Sequence, residues 1–140
     1  MAILAICFLA ASPVMAGEKA HRLALQISDD SPQKMNTVLN VAANMSRYYS
    51  AKGEEIEIEI IAFNKGLHML RTDTSPVKKR IGDFSKSMTN VSFKACGNPI
   101  RGMTKKEGRM PPIFAFADVV PAGVVQIMER HEAGWAVVRP

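Results

Sequence analysis

Cysteine is the residue of this chain best suited to nucleophilic chemistry, and the sequence holds two, Cys7 and Cys96. Cys96 opens the run Cys96-Gly97-Asn98-Pro99, directly after the strand-like segment Val91 to Ala95. A thiol attacks only as its thiolate, which positive charge or backbone N–H groups stabilise. Gly97 and Asn98 can turn the chain so that N–H groups face the sulfur, and Lys65, His68, Lys94 or Arg101 can supply charge. The competing reading is packing: cysteine is among the most buried residue types, and a lone one commonly behaves as a small hydrophobe. Residue type favours packing, position after a strand favours reactivity, and both readings stay open.

The other candidates are weaker. His21, His68 and His131 fall on three different segments without metal-ligand spacing, so no metal site is expected. Asp29 and Asp30 could serve acid–base chemistry, but beside Ser31-Pro32 they read as part of a helix start. No glycine-rich phosphate motif follows a strand, so no flavin, nucleotide or other cofactor is expected. The nine methionines are scattered and suit core filling rather than copper binding. The net charge of +5 and a pI near 9.4 make the chain mildly basic. Its densest basic run, Lys78-Lys79-Arg80, lies among aliphatic residues with no interleaved aromatics to stack on bases. That pattern argues against nucleic-acid binding and for a solvated helix face.

The elements that must position Cys96 follow from periodicity. Met1 to Ala16 carries no charged side chain, and Val14-Met15-Ala16 fits the small-x-small pattern of a signal-peptidase site. No Lys or Arg precedes the apolar run, and a buried N-terminal strand or helix is the competing reading. The run is too short to span a membrane. Residues 1–16 are thus read as a signal peptide and 17–140 as one domain, periplasmic, with no membrane span in the mature chain. Cleavage after Ala16 would leave Cys96 as the one mature thiol, unable to form an internal disulfide.

Within 17–140, strand and helix alternate. His21 to Ser28 alternates through Leu23, Leu25 and Ile27 as a strand does. Ser31-Pro32 starts a helix along Met35, Val38, Leu39, Ala42 and Met45 that Gly53 ends. Glu54 to Phe63 is a second strand, half-exposed then fully apolar, followed by an Asn64-Lys65-Gly66 loop and a short helix over Leu67 to Leu70. Val77 to Met88 is an amphipathic helix, and Val91 to Ala95 a third strand. The basic stretch from Ile100 to Pro112 reads as a short helix or flexible loop. A strand within Phe114 to Val120, a helix from Pro121-Ala122-Gly123 to Gly134, and a strand at Trp135 to Arg139 complete the order. The expected fold is α/β: three layers, a mostly parallel five-stranded sheet with helices on both faces, flavodoxin-like in outline. Ligands of such sheets bind beyond the carboxyl ends of the strands. That places Ser28, Asp29, Asn64, Lys65, Gly66, Cys96, Gly97 and Asn98 on one edge, Cys96 as the reactive group and the rest as its binding residues.

Several segments together resemble the DsrE/DsrF-like sulfur-relay family: Phe93-Lys94-Ala95-Cys96-Gly97-Asn98, Val119-Val120-Pro121-Ala122-Gly123-Val124, and Glu132-Ala133-Gly134-Trp135-Ala136. Leu23 to Ser28 and Ala62-Phe63-Asn64-Lys65-Gly66-Leu67 fit the same pattern, so the resemblance runs from Arg22 to Pro140. It implies a DsrE-like three-layer fold assembled as trimers or hexamers. It also implies sulfane sulfur carried as a cysteine persulfide, as relatives do in sulfur oxidation or tRNA thiolation, with Cys96 at the sulfur-carrying position. The chain would then be a sulfur carrier or sulfurtransferase rather than a multiple-turnover enzyme. Its partners would be a donor or acceptor protein or a small sulfur compound. The export signal and the basic Arg101 to Pro112 stretch depart from the well-studied cytoplasmic relay members. The rival expectation is a non-catalytic oligomeric module that binds a small ligand or a protein in the strand-end cleft.

Overall fold

The computed structural model describes residues 20–140; the signal-peptide reading of residues 1–16, with Cys7, lies outside the described residues. The element order is β1 (His21–Ile27), α1 (Pro32–Ala51), β2 (Ile56–Ala62), a 3₁₀ helix (Asn64–Leu70) and α2 (Lys78–Ser87). Then come β3 (Val91–Cys96), α3 (Gly97–Glu107), β4 (Ala117–Val120), α4 (Gly123–Glu132) and β5 (Ala136–Val138). All five strands pair in parallel in the order β4-β3-β2-β1-β5. This is the expected three-layer α/β fold.

Parity along the strands separates two unequal cores. Leu23, Leu25, Ile27, Ile58, Ile60 and Phe93 face α1, α2, α3 and the 3₁₀ helix, packing against Met35, Leu39, Ile81 and Ile100. The intervening positions face α4, where the buried apolar layer is Ala24, Ile61 and Trp135, flanked by Ile127 and Val137. The asymmetry follows from the strand order. Moving β1 to β4 in one direction with right-handed crossovers puts three helices on one face, and the return to β5 puts α4 on the other.

The helix starts confirm some local readings and correct others. Ser31 caps α1, its Oγ accepting the Lys34 N–H at 3.4 Å, with Pro32 in the first turn. The Asn64-Lys65-Gly66 segment, expected as a loop, is the first turn of the 3₁₀ helix. The Cys96-Gly97-Asn98-Pro99 run, also expected as a loop, is the N-cap and first turn of α3, and the stretch beyond it continues as helix to Glu107. Pro99 is tolerated because first-turn N–H groups have no intrahelical acceptor to lose. Buried Arg71 orders the far end of α3: its guanidinium donates to Asp73 at 2.9 and 2.8 Å and to Glu107 at 2.6 and 3.0 Å. Arg71 holds the Asp73 carboxyl down to about 2. The basic segment is thereby pinned to the loop after the 3₁₀ helix, where Thr72 N–H also donates to Pro112.

Gly66 packs directly on the carbonyl of Ile27, so a Cβ there would overlap β1 backbone. Gly66→Ala is expected to destabilise the fold by about 2–3 kcal/mol, as overpacking against immovable backbone does. Gly102→Ala, in the interior of α3 with open space around it, is expected to stabilise by about 0.5–1 kcal/mol. Urea midpoints of the two variants check both signs.

Candidate functional site

In a parallel sheet the crevice for ligands opens where neighbouring strands send their following helices to opposite faces. Here that point lies between β3 and β4: β3 runs into α3 on one face, and β4 into α4 on the other. Cys96 is the last residue of β3, paired with Val120 at the end of β4, and therefore stands in this crevice. Its Sγ accepts the backbone N–H of Gly123, the first residue of α4, at 3.0 Å. Cys96 is also the N-cap of α3. The sulfur thus lies at the head of α4 while its backbone starts α3. Helix N-termini present N–H groups and partial positive charge, the environment that stabilises sulfur anions.

The approach is tight. A Cβ on Gly123 would lie 2.9 Å from the Phe63 Cβ and 3.3 Å from the Cys96 Cβ, so glycine is what allows α4 to reach the sulfur. A Cβ on Gly97 would lie 3.0 Å from both the Val120 carbonyl oxygen and the Arg101 guanidinium. The result is closure: Cys96 is 3% exposed.

The sequence-selected residues divide into groups. Cys96 and Gly97 share the crevice with Gly123 and Phe63. Asn98 accepts a hydrogen bond from Arg101 and makes none to the sulfur. Ser28 and Asp29 belong to the β1–β5 end, where Arg139 approaches both and Lys34 donates to Asp29 at 2.9 Å. The Lys34 hydrogen bond is the main reason the Asp29 carboxyl titrates below its usual range. Lys65 is 75% exposed in its side chain and pairs with Asp30 at 3.7 Å. Asn64 adopts a left-handed φ of 49°, the one positive-φ residue other than glycine among the described residues, and Gly66 packs on β1. Of the four cations considered for Cys96, His68 meets Thr74 at 2.7 Å and Lys94 pairs with Asp118 at 2.6 Å. Lys65 and Arg101 are engaged as described, so the backbone of Gly123 is the sulfur's hydrogen-bond donor.

Sequence reasoning missed the residues that hold α4 in place. Glu59, on the α4 face of β2, is 2% exposed. It accepts from Arg130 Nε at 2.8 Å, Arg130 Nη2 at 2.7 Å and Gln126 Nε2 at 2.9 Å, with Lys94 Nζ at 3.9 Å. Burial by itself raises this carboxyl's pKa. The hydrogen bonds from Arg130 and Gln126, with the charges of Arg130 and Lys94, outweigh that and bring it below its ordinary 4.5. The available signal was an acidic residue enclosed by Ile58, Ile60 and Ile61. Among the described residues no group of His, Cys, Asp and Glu could hold a metal, and no helix is long and apolar enough to cross a membrane. An open recess of about 820 Å³, lined in part by Arg47, Glu54 and Asn90, lies at the amino-terminal ends of the strands, remote from Cys96.

No protein-family model and no curated protein matches the chain. Among solved structures, the chain is similar to a protein of unknown function from Methanobacterium thermoautotrophicum. The two share 27% identity and a TM-score of 0.72 over 86% of this chain and 99% of the other. The likeness supports the five-stranded α/β architecture.

A carboxyl whose folded pKa lies below its unfolded value stabilises the fold above the unfolded value, and that stability is lost as pH falls through the folded one. Glu59 should therefore contribute at neutral pH and lose its contribution below pH 4.5, its ordinary value. Urea midpoints from neutral to acid pH are expected to show a positive slope that Glu59→Gln reduces. Parallel curves for the two proteins would disprove the contribution.

Proposed function

We propose that this chain is an exported, periplasmic DsrE-like protein that binds and transfers sulfane sulfur as a persulfide on Cys96. The observation that carries the reading is the placement of the sulfur at the β3–β4 crevice with the Gly123 N–H donated to it at 3.0 Å. In the loading step the Cys96 sulfur attacks the outer sulfur of a donor persulfide. The donor S–S bond breaks as the new one forms, the donor thiolate leaves, and it takes up the proton that Cys96 gave. Sulfane sulfur changes carrier without net oxidation, and attack by an acceptor thiol on the outer sulfur of the Cys96 persulfide unloads it. Both steps depend on an ionised sulfur, and the Gly123 N–H at the start of α4 is the hydrogen-bond donor placed on it. Residue resemblance to the DsrE/DsrF-like family from Arg22 to Pro140 supports the sulfur chemistry, and Met1 to Ala16 supports export.

One observation favours a second reading. Cys96 is buried, while Val119, Val124, Val125 and Met128 on and around α4 are more than half exposed. A non-catalytic module that assembles with copies of itself or a partner through this face accounts for both, and requires no thiol chemistry.

Incubation with polysulfide followed by intact-mass measurement separates them. The sulfur-carrier reading expects a gain of about 32 Da per added sulfur atom that reducing agent reverses and that Cys96→Ser abolishes. An equal gain in Cys96→Ser, or none in either protein, favours the module. Export is tested by the N-terminus of the protein recovered from the periplasm, expected at Gly17.

A further inference from the structure

A sulfur carrier must expose its sulfur, yet Cys96 is 3% exposed. What covers it is the head of α4, whose first N–H lies on the Sγ and whose Gly123 packs against Phe63. Two features set α4 apart from the rest of the fold. Among the described residues it is the single helix on its face, and the apolar cluster beneath it has three buried side chains, with Cys96 and Val120 buried beside it, against twenty-two in the other core. Its principal polar attachment lies further along the helix, where Gln126 and Arg130 reach down to Glu59.

We propose that α4 is a gate over Cys96 and that Glu59, through Arg130 and Gln126, is the latch that keeps it shut. Release of the latch lets the head of α4 lift, taking Gly123 off the sulfur and opening the β3–β4 crevice from above. The helix is suited to such a step because segments with few buried apolar contacts open locally at lower free energy than the global fold. The sheet is suited to it because β1, β2 and β3 remain packed on the opposite core whether α4 is down or raised. Glu59 acts here as a positioning residue: it touches neither the sulfur nor a substrate and works through the helix it holds. The biological use of the gate rests on the sulfur-carrier reading of Cys96; the motion itself does not.

The test is the rate at which N-ethylmaleimide, an uncharged thiol reagent, labels Cys96 in the folded full-length chain carrying Cys7→Ala. It is read beside amide exchange in α4 and in β1–β2. Glu59→Gln and Arg130→Met are each expected to raise the labelling rate by about tenfold or more while the amides of β1 and β2 keep their protection. Arg130 is 31% exposed in its side chain, so its variant is available should Glu59→Gln fold poorly. In the unsubstituted protein, the Gly123 amide and the thiol should report the same opening equilibrium, because one motion frees both. Labelling that is unchanged in the variants, or that rises only in step with loss of β1–β2 protection, overturns the gate. Fast labelling without sulfur uptake from polysulfide leaves the gate standing and removes the sulfur-carrier reading. Sulfur uptake at equal rates in variant and parent removes the gate and leaves that reading.

Discussion

The buried carboxylate of Glu59 is the constraint on which the α4 side of the molecule depends. A carboxylate this far from water is tolerated only when its charge and lone pairs are matched. Arg130 supplies two hydrogen bonds and Gln126 a third. The net stabilisation from such a pair is modest, because desolvation offsets much of the attraction. Its larger effect is geometric. The apolar layer beneath α4 is small, and apolar contact is non-directional. A planar guanidinium engaging both carboxylate oxygens fixes where the helix lands and how it is rotated. Removing one partner is the costly change, about 3–5 kcal/mol when the group left behind stays buried. The partial exposure of Arg130 places its loss toward the lower end of that range.

From that anchor the geometry at Cys96 follows. With α4 seated by Glu59, Gly123 at its head falls beside the end of β3, and its N–H finds the sulfur. Two glycines permit this convergence: Gly123 lets α4 close on Phe63 and Cys96, and Gly97 lets α3 start beneath Val120 and Arg101. The Arg71 clasp holds α3 at its far end through Glu107. One of the two helices flanking the sulfur is therefore fixed at both ends and packed on the large core. The other is held at its middle and covers a small one.

Much of this architecture was legible in the sequence, and the unread parts share a physical cause. Strand and helix order was visible because alternation at Leu23, Leu25 and Ile27 and the stripe at Met35, Val38, Leu39 and Ala42 are local patterns. The first turns of the 3₁₀ helix and of α3 were read as loops because Asn, Gly and Pro are turn-formers by intrinsic preference. At a helix start the same residues are compatible with helix, since first-turn N–H groups are unpaired in any case. The alternation of Glu57 and Glu59 with isoleucine marks the first half of this strand as half-exposed, yet Glu59 is buried. Its burial depends on Arg130, more than seventy positions away in sequence, a relation no local period encodes. The placement of Cys96 at a strand end was legible. Its closure was not, because the covering residue, Gly123, comes from the neighbouring strand's helix. Ser28 and Asp29 follow β1 on the same sheet edge as the ends of β2 and β3, but their shared side-chain partner there, Arg139, comes from the other end of the chain, a relation equally hidden from local pattern.

On the proposed motion of α4, the two readings of Cys96, packed hydrophobe and reactive thiol, describe different positions of one helix rather than different proteins. With α4 down, the sulfur is a buried side chain with a single N–H donor. In the exported setting proposed for this chain that state has a use. A solitary thiol open to an oxidising compartment is drawn into intermolecular disulfides or up the ladder to sulfinic and sulfonic acids. A persulfide is more exposed to the same losses, because its outer sulfur is the atom acceptors and oxidants attack. A carrier in that setting therefore gains from a closed resting state that opens only for transfer, and a fully exposed cysteine would be the harder arrangement to reconcile with carriage. The unequal cores supply the means: the large one keeps the sheet and β3 in register, and the small one lets its single helix move without unfolding the rest.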